Sequence, residues 1–117
     1  MGDISAHFDR SEFACKCGCG FDTVDIDLLA LMEAVRQEFD KPVIITSGCR
    51  CYQHNKDEEG WPDSKHMEGR AADIVVRGYQ PFEVYAYFLD ALGTGGGLGS
   101  YADFTHVDSR SGPAARW

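Results

Sequence analysis

Ser64-Lys65-His66-Met67-Glu68-Gly69-Arg70-Ala71-Ala72-Asp73-Ile74-Val75-Val76 changes character half-way. Up to Arg70 the stretch is polar and carries a histidine. From Ala71 onward it is small, then β-branched, with a single carboxylate at Asp73. The second half predicts a strand over Ala71–Val76, with His66 just before it and Asp73 on it.

Working outward, residues from Asp25 to Phe39 place Ile26, Leu29, Ala30, Met32, Val35 and Phe39 at three- and four-residue steps, the period of a helix with one apolar face. Asp25 is placed to cap its start, and Lys41-Pro42 stops it. Val43-Ile44-Ile45-Thr46 is short and β-branched, a buried strand ending at Ser47-Gly48. Downstream, Pro81 opens a second amphipathic helix that runs to Leu92, and Gly93-Thr94-Gly95-Gly96-Gly97 breaks it. Leu98–Tyr101 and Phe104–Asp108 follow as two short strands or one interrupted strand. Residues 1–20 read as irregular, with a helical turn at Ser11-Glu12-Phe13, and residues 52–65 read as a polar loop. The expected architecture is α+β: a small, mostly antiparallel sheet with helices packed on one side, in a single domain spanning 1–117.

The net charge of −8 argues against binding a phosphate backbone or an anionic membrane. No apolar run approaches the roughly 20 residues that a membrane-spanning helix needs. Met1-Gly2-Asp3-Ile4-Ser5-Ala6-His7 has neither the basic nor the apolar region of a signal peptide. The expected partners therefore exclude nucleic acid and membrane, and the expected state is a monomer. Five cysteines fall in two clusters, Cys15-Lys16-Cys17-Gly18-Cys19 and Cys49-Arg50-Cys51. An odd count leaves three readings open: a disulfide between the clusters with thiols left over, a second ion held by thiolates, or reduced cysteines filling small core positions.

His66, Asp73 and His106 are the residues that point to chemistry. Two imidazoles and a carboxylate suffice to hold a zinc ion with a coordination position open for water, and that water is acidic enough to supply hydroxide near neutral pH. Each histidine alone would be unremarkable as a surface or hydrogen-bonding residue. Together, flanked by Gly69 and the alanines, they read as metal ligands. His7 and His54, in polar segments, read as solvent-exposed. Trp61, Tyr101 and Trp117 are aromatic candidates for a peptide groove, with Trp117 assigned to the core.

The stretch from Ser64 to Asp73 resembles the Ser-x-His-x-x-Gly-x-Ala-x-Asp signature of the zinc D-alanyl-D-alanine carboxypeptidases. That family includes vancomycin-resistance D,D-dipeptidases and phage L-alanyl-D-glutamate endolysins, and it shares its fold with the hedgehog signalling domain. His106-Val107-Asp108 matches the family's second histidine motif, and Thr46-Ser47-Gly48-Cys49-Arg50 and Ala115-Arg116-Trp117 also agree. The resemblance implies a hedgehog-like fold and one catalytic zinc on His66, Asp73 and His106. It also implies a base three residues before the last ligand, here Asp103, which requires the chain to bend between Asp103 and His106. Glu68 is a weaker rival for the base. Arg50 matches a residue that holds substrate and stabilises the oxyanion, and Ser64 is placed to bind substrate or to orient its loop. Asp108 is placed either to orient a ligand imidazole or to form an internal salt bridge.

What the resemblance implies is hydrolysis of a peptide bond in bacterial peptidoglycan stem peptides, by a D-Ala-D-Ala carboxypeptidase or an endolysin-type endopeptidase. The alternative is a non-catalytic zinc-containing module of the same fold that binds a peptide or protein. A bacterial or phage origin follows, with the protein cytoplasmic or released at lysis.

Overall fold

The computed structural model describes residues 2–117. Its elements follow the expected order closely. Helix α1 spans Ile26–Phe39, and the Asp25 carboxylate accepts from the backbone N–H groups of Asp27 and Leu28, two of the donors that a helix start leaves unpaired. Asp40, in the left-handed region at φ 51°, ends it. Strand β1 is Val43–Ser47, β2 Ala71–Val76, β3 Gly97–Ser100, β4 Thr105–Asp108 and β5 Ala115–Arg116. Helix α3, Pro81–Leu92, starts at the proline. Arg10–Phe13 forms a 3-10 turn, where a helical turn was expected.

The five strands form one sheet in the order β1-β2-β4-β3-β5, antiparallel except for the parallel pair β3-β5. Because side chains alternate across a strand, the register decides what each face carries. Ala72, Val107 and Leu98 are cross-strand neighbours, as are Ile74 and Ile45, and Val76 and Val43. These residues share one face and are all buried. Leu28, Met32 and Val35 of α1 and Val84 and Phe88 of α3 join the same core cluster, with Phe8 and Phe13 from the N-terminal segment. Both long helices therefore lie on one side of the sheet. Truncating a core side chain such as Phe88, fully buried here, to alanine costs about 3–5 kcal/mol in comparable cores.

The opposite face carries Asp73 beside His106 beside Gly99, and Ala71 beside Asp108 beside Gly97. One sheet thus keeps its apolar residues on the helix side and its chemical groups on the other.

Two expectations need correction. The stretch 52–65 is not a continuous loop: Tyr52–Asp57 forms a short helix, α2, and Lys65–Glu68 a 3-10 turn. Periodicity could not show α2, because polar contacts anchor it. Cys51 Sγ accepts from His54 N at its start, and buried Asn55 donates from Nδ2 to Trp61 O at 2.9 Å. Trp117 is not a core plug. It is 44% exposed and follows β5, where Trp117 N donates to Leu98 O and Ser100 N donates to Trp117 O. That pairing holds the indole over the site face instead of under the helices.

Candidate metal centre

One turn and two strands deliver the three side chains. Asp73 lies in the middle of β2 and His106 opposite it on β4, so their proximity follows directly from strand register. His66 comes from the 3-10 turn before β2. Ser64 Oγ caps that turn by accepting from His66 N, and Gly69, at φ 69°, ends it. A side chain at Gly69 would also collide with the Thr23 carbonyl, 2.5 Å from the position of a Cβ, so the turn reverses only with glycine there.

The three side chains are buried and their polar atoms meet. His66 Nε2 lies 3.2 Å from Asp73 Oδ1, and His106 Nδ1 lies 3.0 Å from the same oxygen. The outward nitrogens are already committed. His66 Nδ1 donates to the Gly48 carbonyl at 2.6 Å, an acceptor that can take nothing but a proton donor. His106 Nε2 donates to Asp108 Oδ2 at 2.8 Å.

Asp108 is fully buried and ionised. Burial works to raise its pKa, but Arg110, which donates from Nε and Nη2 at 2.8 Å each, and His106 hold it well below the usual carboxylate range. Burial likewise works against the Asp73 charge, and the adjacent His106 and His66 rings overcome it and drive its pKa far down. With both outer nitrogens protonated, neutral imidazoles present only lone pairs to the Asp73 carboxylate. Three acceptors converging on one buried point are complementary to a cation. In its absence an imidazole takes a second proton: desolvation opposes this for His106, and the carboxylates of Asp108 and Asp73 outweigh it and raise its pKa. The donor set of two imidazole nitrogens and a carboxylate oxygen, all within 4.8 Å of one another, is the chemistry that zinc accepts with a position left open.

Around this point the surface opens into two adjoining recesses of about 300 and 370 Å³. His106, Ser64, Trp61 and Trp117 line both, while His66, Asp73 and Arg50 line the first. Arg50 reaches Asp73 Oδ2 from Nη2 at 3.5 Å and is braced by Ser47 Oγ and by Asn55 Oδ1. Trp117 packs at 4.9 Å from the His106 ring and donates from Nε1 to Tyr101 OH at 2.7 Å.

The family model for peptidase M15 matches residues 6–108. The chain belongs to the peptidase M15 family. No curated protein and no solved structure matches it significantly. Peptidases of the M15 family are zinc-dependent metallopeptidases acting on peptides, and the His66, Asp73 and His106 group is where this member could hold the metal.

The other expected residues of this M15 chain divide. Ser64 and Arg50 reach the recess. Asp103 sits in the bend between β3 and β4, where a break between strands was expected, and it is exposed. Tyr101 and Phe104 of the same four-residue turn line the recess, whereas Asp103 does not. Glu68 is also outside the lining and pairs with Lys65 at 3.2 Å. His54 is half-buried, and His7 is exposed but bonded to Glu33 at 2.7 Å.

Asp108 takes both of its expected roles at once, to His106 and to Arg110. Three groups escaped the sequence reading: Arg110, Asn55 and the glycine pair Gly97 and Gly99. A signal existed for Arg110, since residues 106, 108 and 110 alternate onto one face. Cβ atoms at Gly97 and Gly99 would stand 2.2 Å from Asp108 Oδ2 and 2.6 Å from Trp117 Nε1, so bare backbone on β3 is what admits both groups.

Proposed function

We propose that this M15 peptidase hydrolyses a peptide bond in bacterial peptidoglycan stem peptides, as a D-Ala-D-Ala carboxypeptidase or an endolysin-type endopeptidase, with His66 Nε2, Asp73 and His106 Nδ1 as the zinc ligands. The observation that carries this reading is the convergence of three acceptors whose outer partners are already satisfied. A zinc ion bound there supplies Lewis acidity toward the scissile carbonyl and lowers the pKa of water toward neutrality.

The chain's own residues supply the rest. Asp108 and the Gly48 carbonyl fix both imidazole tautomers, so the lone pairs face inward without rearrangement. Arg50, held between Ser47, Asn55 and Asp73, offers a permanent charge to a substrate carbonyl or carboxylate oxygen. Asp103 acts as the base, taking a proton from the attacking water on its carboxylate and passing it to the leaving amine. The rings of Tyr101 and Phe104, which stack at 4.4 Å, flank it in sequence. Trp61 and Trp117 form apolar walls for a peptide.

One observation favours the alternative, a zinc-containing module that binds without turnover: Asp103 does not line the recess. Turnover separates the two. Zinc-loaded protein is incubated with defined stem peptides, one ending in D-Ala-D-Ala and one containing the L-Ala-D-Glu bond, and products are resolved by mass spectrometry. Cleavage of one bond, abolished by chelation and restored by zinc, is the expected result. Binding of both peptides with cleavage of neither establishes the module instead.

A further inference from the structure

The four thiols of Cys15, Cys17, Cys19 and Cys51 lie within 4.8 Å of one another, away from the histidine centre. Cys15 and Cys17 Sγ are 3.4 Å apart, and Cys17 and Cys51 Sγ 3.7 Å. A zinc ion about 2.3 Å from four sulfurs spaces them roughly 3.8 Å apart, so this is the packing of a tetrahedral thiolate shell. Gly18 and Gly20, at φ 82° and 90°, allow the chain to coil so that thiols at alternate positions turn to one point. Cys15 N donates to Phe21 O at 2.7 Å and closes the loop.

Two backbone N–H groups point at sulfur: Cys51 N at Cys15 Sγ and His54 N at Cys51 Sγ, each at 3.4 Å. Such donors favour the charged thiolate over the thiol. The fifth cysteine stands apart. Cys49 is buried and its thiol donates to Phe21 O at 3.0 Å, which accounts for the odd count as four plus one. The contacts of Cys15 and of Cys51 both fall on Cys17, so disulfides cannot use both of them, whereas one ion takes all four sulfurs.

We infer that Cys15, Cys17, Cys19 and Cys51 bind a second zinc ion in a closed, structural tetrathiolate site. Four protein ligands leave no position for substrate, so the ion clamps instead of reacting. What it clamps is functional: it ties residues 15–19 to the segment containing Gly48, the acceptor for His66, and Arg50, the neighbour of Asp73. Arg50 N also donates to His66 O, so a loosened Cys51 reaches the histidine centre through one residue.

Zinc counted per chain by elemental analysis tests this in wild type, His66→Ala, Cys17→Ser and Cys49→Ser proteins. Two ions are expected in wild type and in Cys49→Ser, and one in each of the others. Cobalt(II) added to the metal-free full chain gives an independent reading: thiolate-to-cobalt charge-transfer absorption should persist in His66→Ala and fade in Cys17→Ser. If Cys17→Ser fails to fold, the cobalt spectra of wild type and His66→Ala still decide. One zinc per wild-type chain that vanishes in His66→Ala, disulfides among the four cysteines in the intact mass, or iron in place of zinc would each overturn the inference. Two zinc ions retained in His66→Ala would instead sink the histidine centre and leave the thiolate site standing.

Discussion

His106 and Asp108, two residues apart on β4, are joined side chain to side chain through His106 Nε2 and Asp108 Oδ2 at 2.8 Å. Neighbours at that spacing share a strand face, and Gly97 opposite Asp108 leaves the room for the carboxylate to swing toward the imidazole. The bond makes His106 Nδ1 the inward nitrogen.

Asp108→Asn keeps the shape but removes the charge that orients the ring. Zinc affinity of the histidine centre should fall about 10–100-fold, the usual loss when a ligand histidine's carboxylate partner is changed. Competition against a chromophoric chelator measures it, in protein whose thiolate cluster has been accounted for. An unchanged affinity would show that Asp108 serves only Arg110.

Asp103→Ala should keep its zinc and lose turnover on the stem peptide by about 10²–10⁴-fold, the contribution typical of a positioned acid–base group. Glu68→Ala, which breaks surface pairs with Lys65 and Arg70, should leave the rate near wild type. The reverse ranking would reassign the base.

Gly97→Ala places a Cβ 2.2 Å from a fully buried carboxylate oxygen. Something must shift, at a cost of about 1–3 kcal/mol for overpacking, and the zinc affinity should fall with it. Gly95→Ala meets only Leu92 O at 3.8 Å and should be near neutral. Urea unfolding of the two variants compares them, and equal stabilities would contradict the packing argument.

Glu33 fastens the N-terminal segment to α1 by accepting from Ser5 Oγ at 2.6 Å and from the His7 backbone at 2.8 Å. Burial works to raise its pKa, but those bonds and His7 lower it below the ordinary glutamate value. A lowered folded pKa means stabilisation that is fully present above the unfolded value and lost as pH falls through the folded one. Glu33→Gln should therefore be less stable than wild type at pH 7, and the gap should close under acid, below the ordinary glutamate range. Denaturant midpoints at the two pH values check this, and a gap that widens in acid would reverse the sign.

Much of the fold was legible because its signals are local. Asp25 and Pro42 bracket α1, Pro81 and Gly93 bracket α3, and β2 coincides with the run of small and then β-branched residues from Ala71 to Val76. Helix α2 was not legible, since Asn55 anchors it through contacts with Arg50 and Trp61 and no apolar period marks it. Trp117 misled for a similar reason. Its hydrophobicity predicts burial, but the parallel pairing of β5 with β3 sets it on the face that the helices do not cover.

The sequence by itself determined the long helices and the main strands, the donor types at His66, Asp73 and His106, and the family signature that relates them, because caps, periodicity and motif spacing are properties of near neighbours. Only the tertiary structure decided which nitrogen of each imidazole faces inward, that Arg110 and Asp108 stand behind His106, and which four of the five thiols meet. Those facts depend on strand register and loop closure across as many as 36 residues, as between Cys15 and Cys51. Register is set by which face of the whole sheet is buried, and no short stretch of the chain carries that choice.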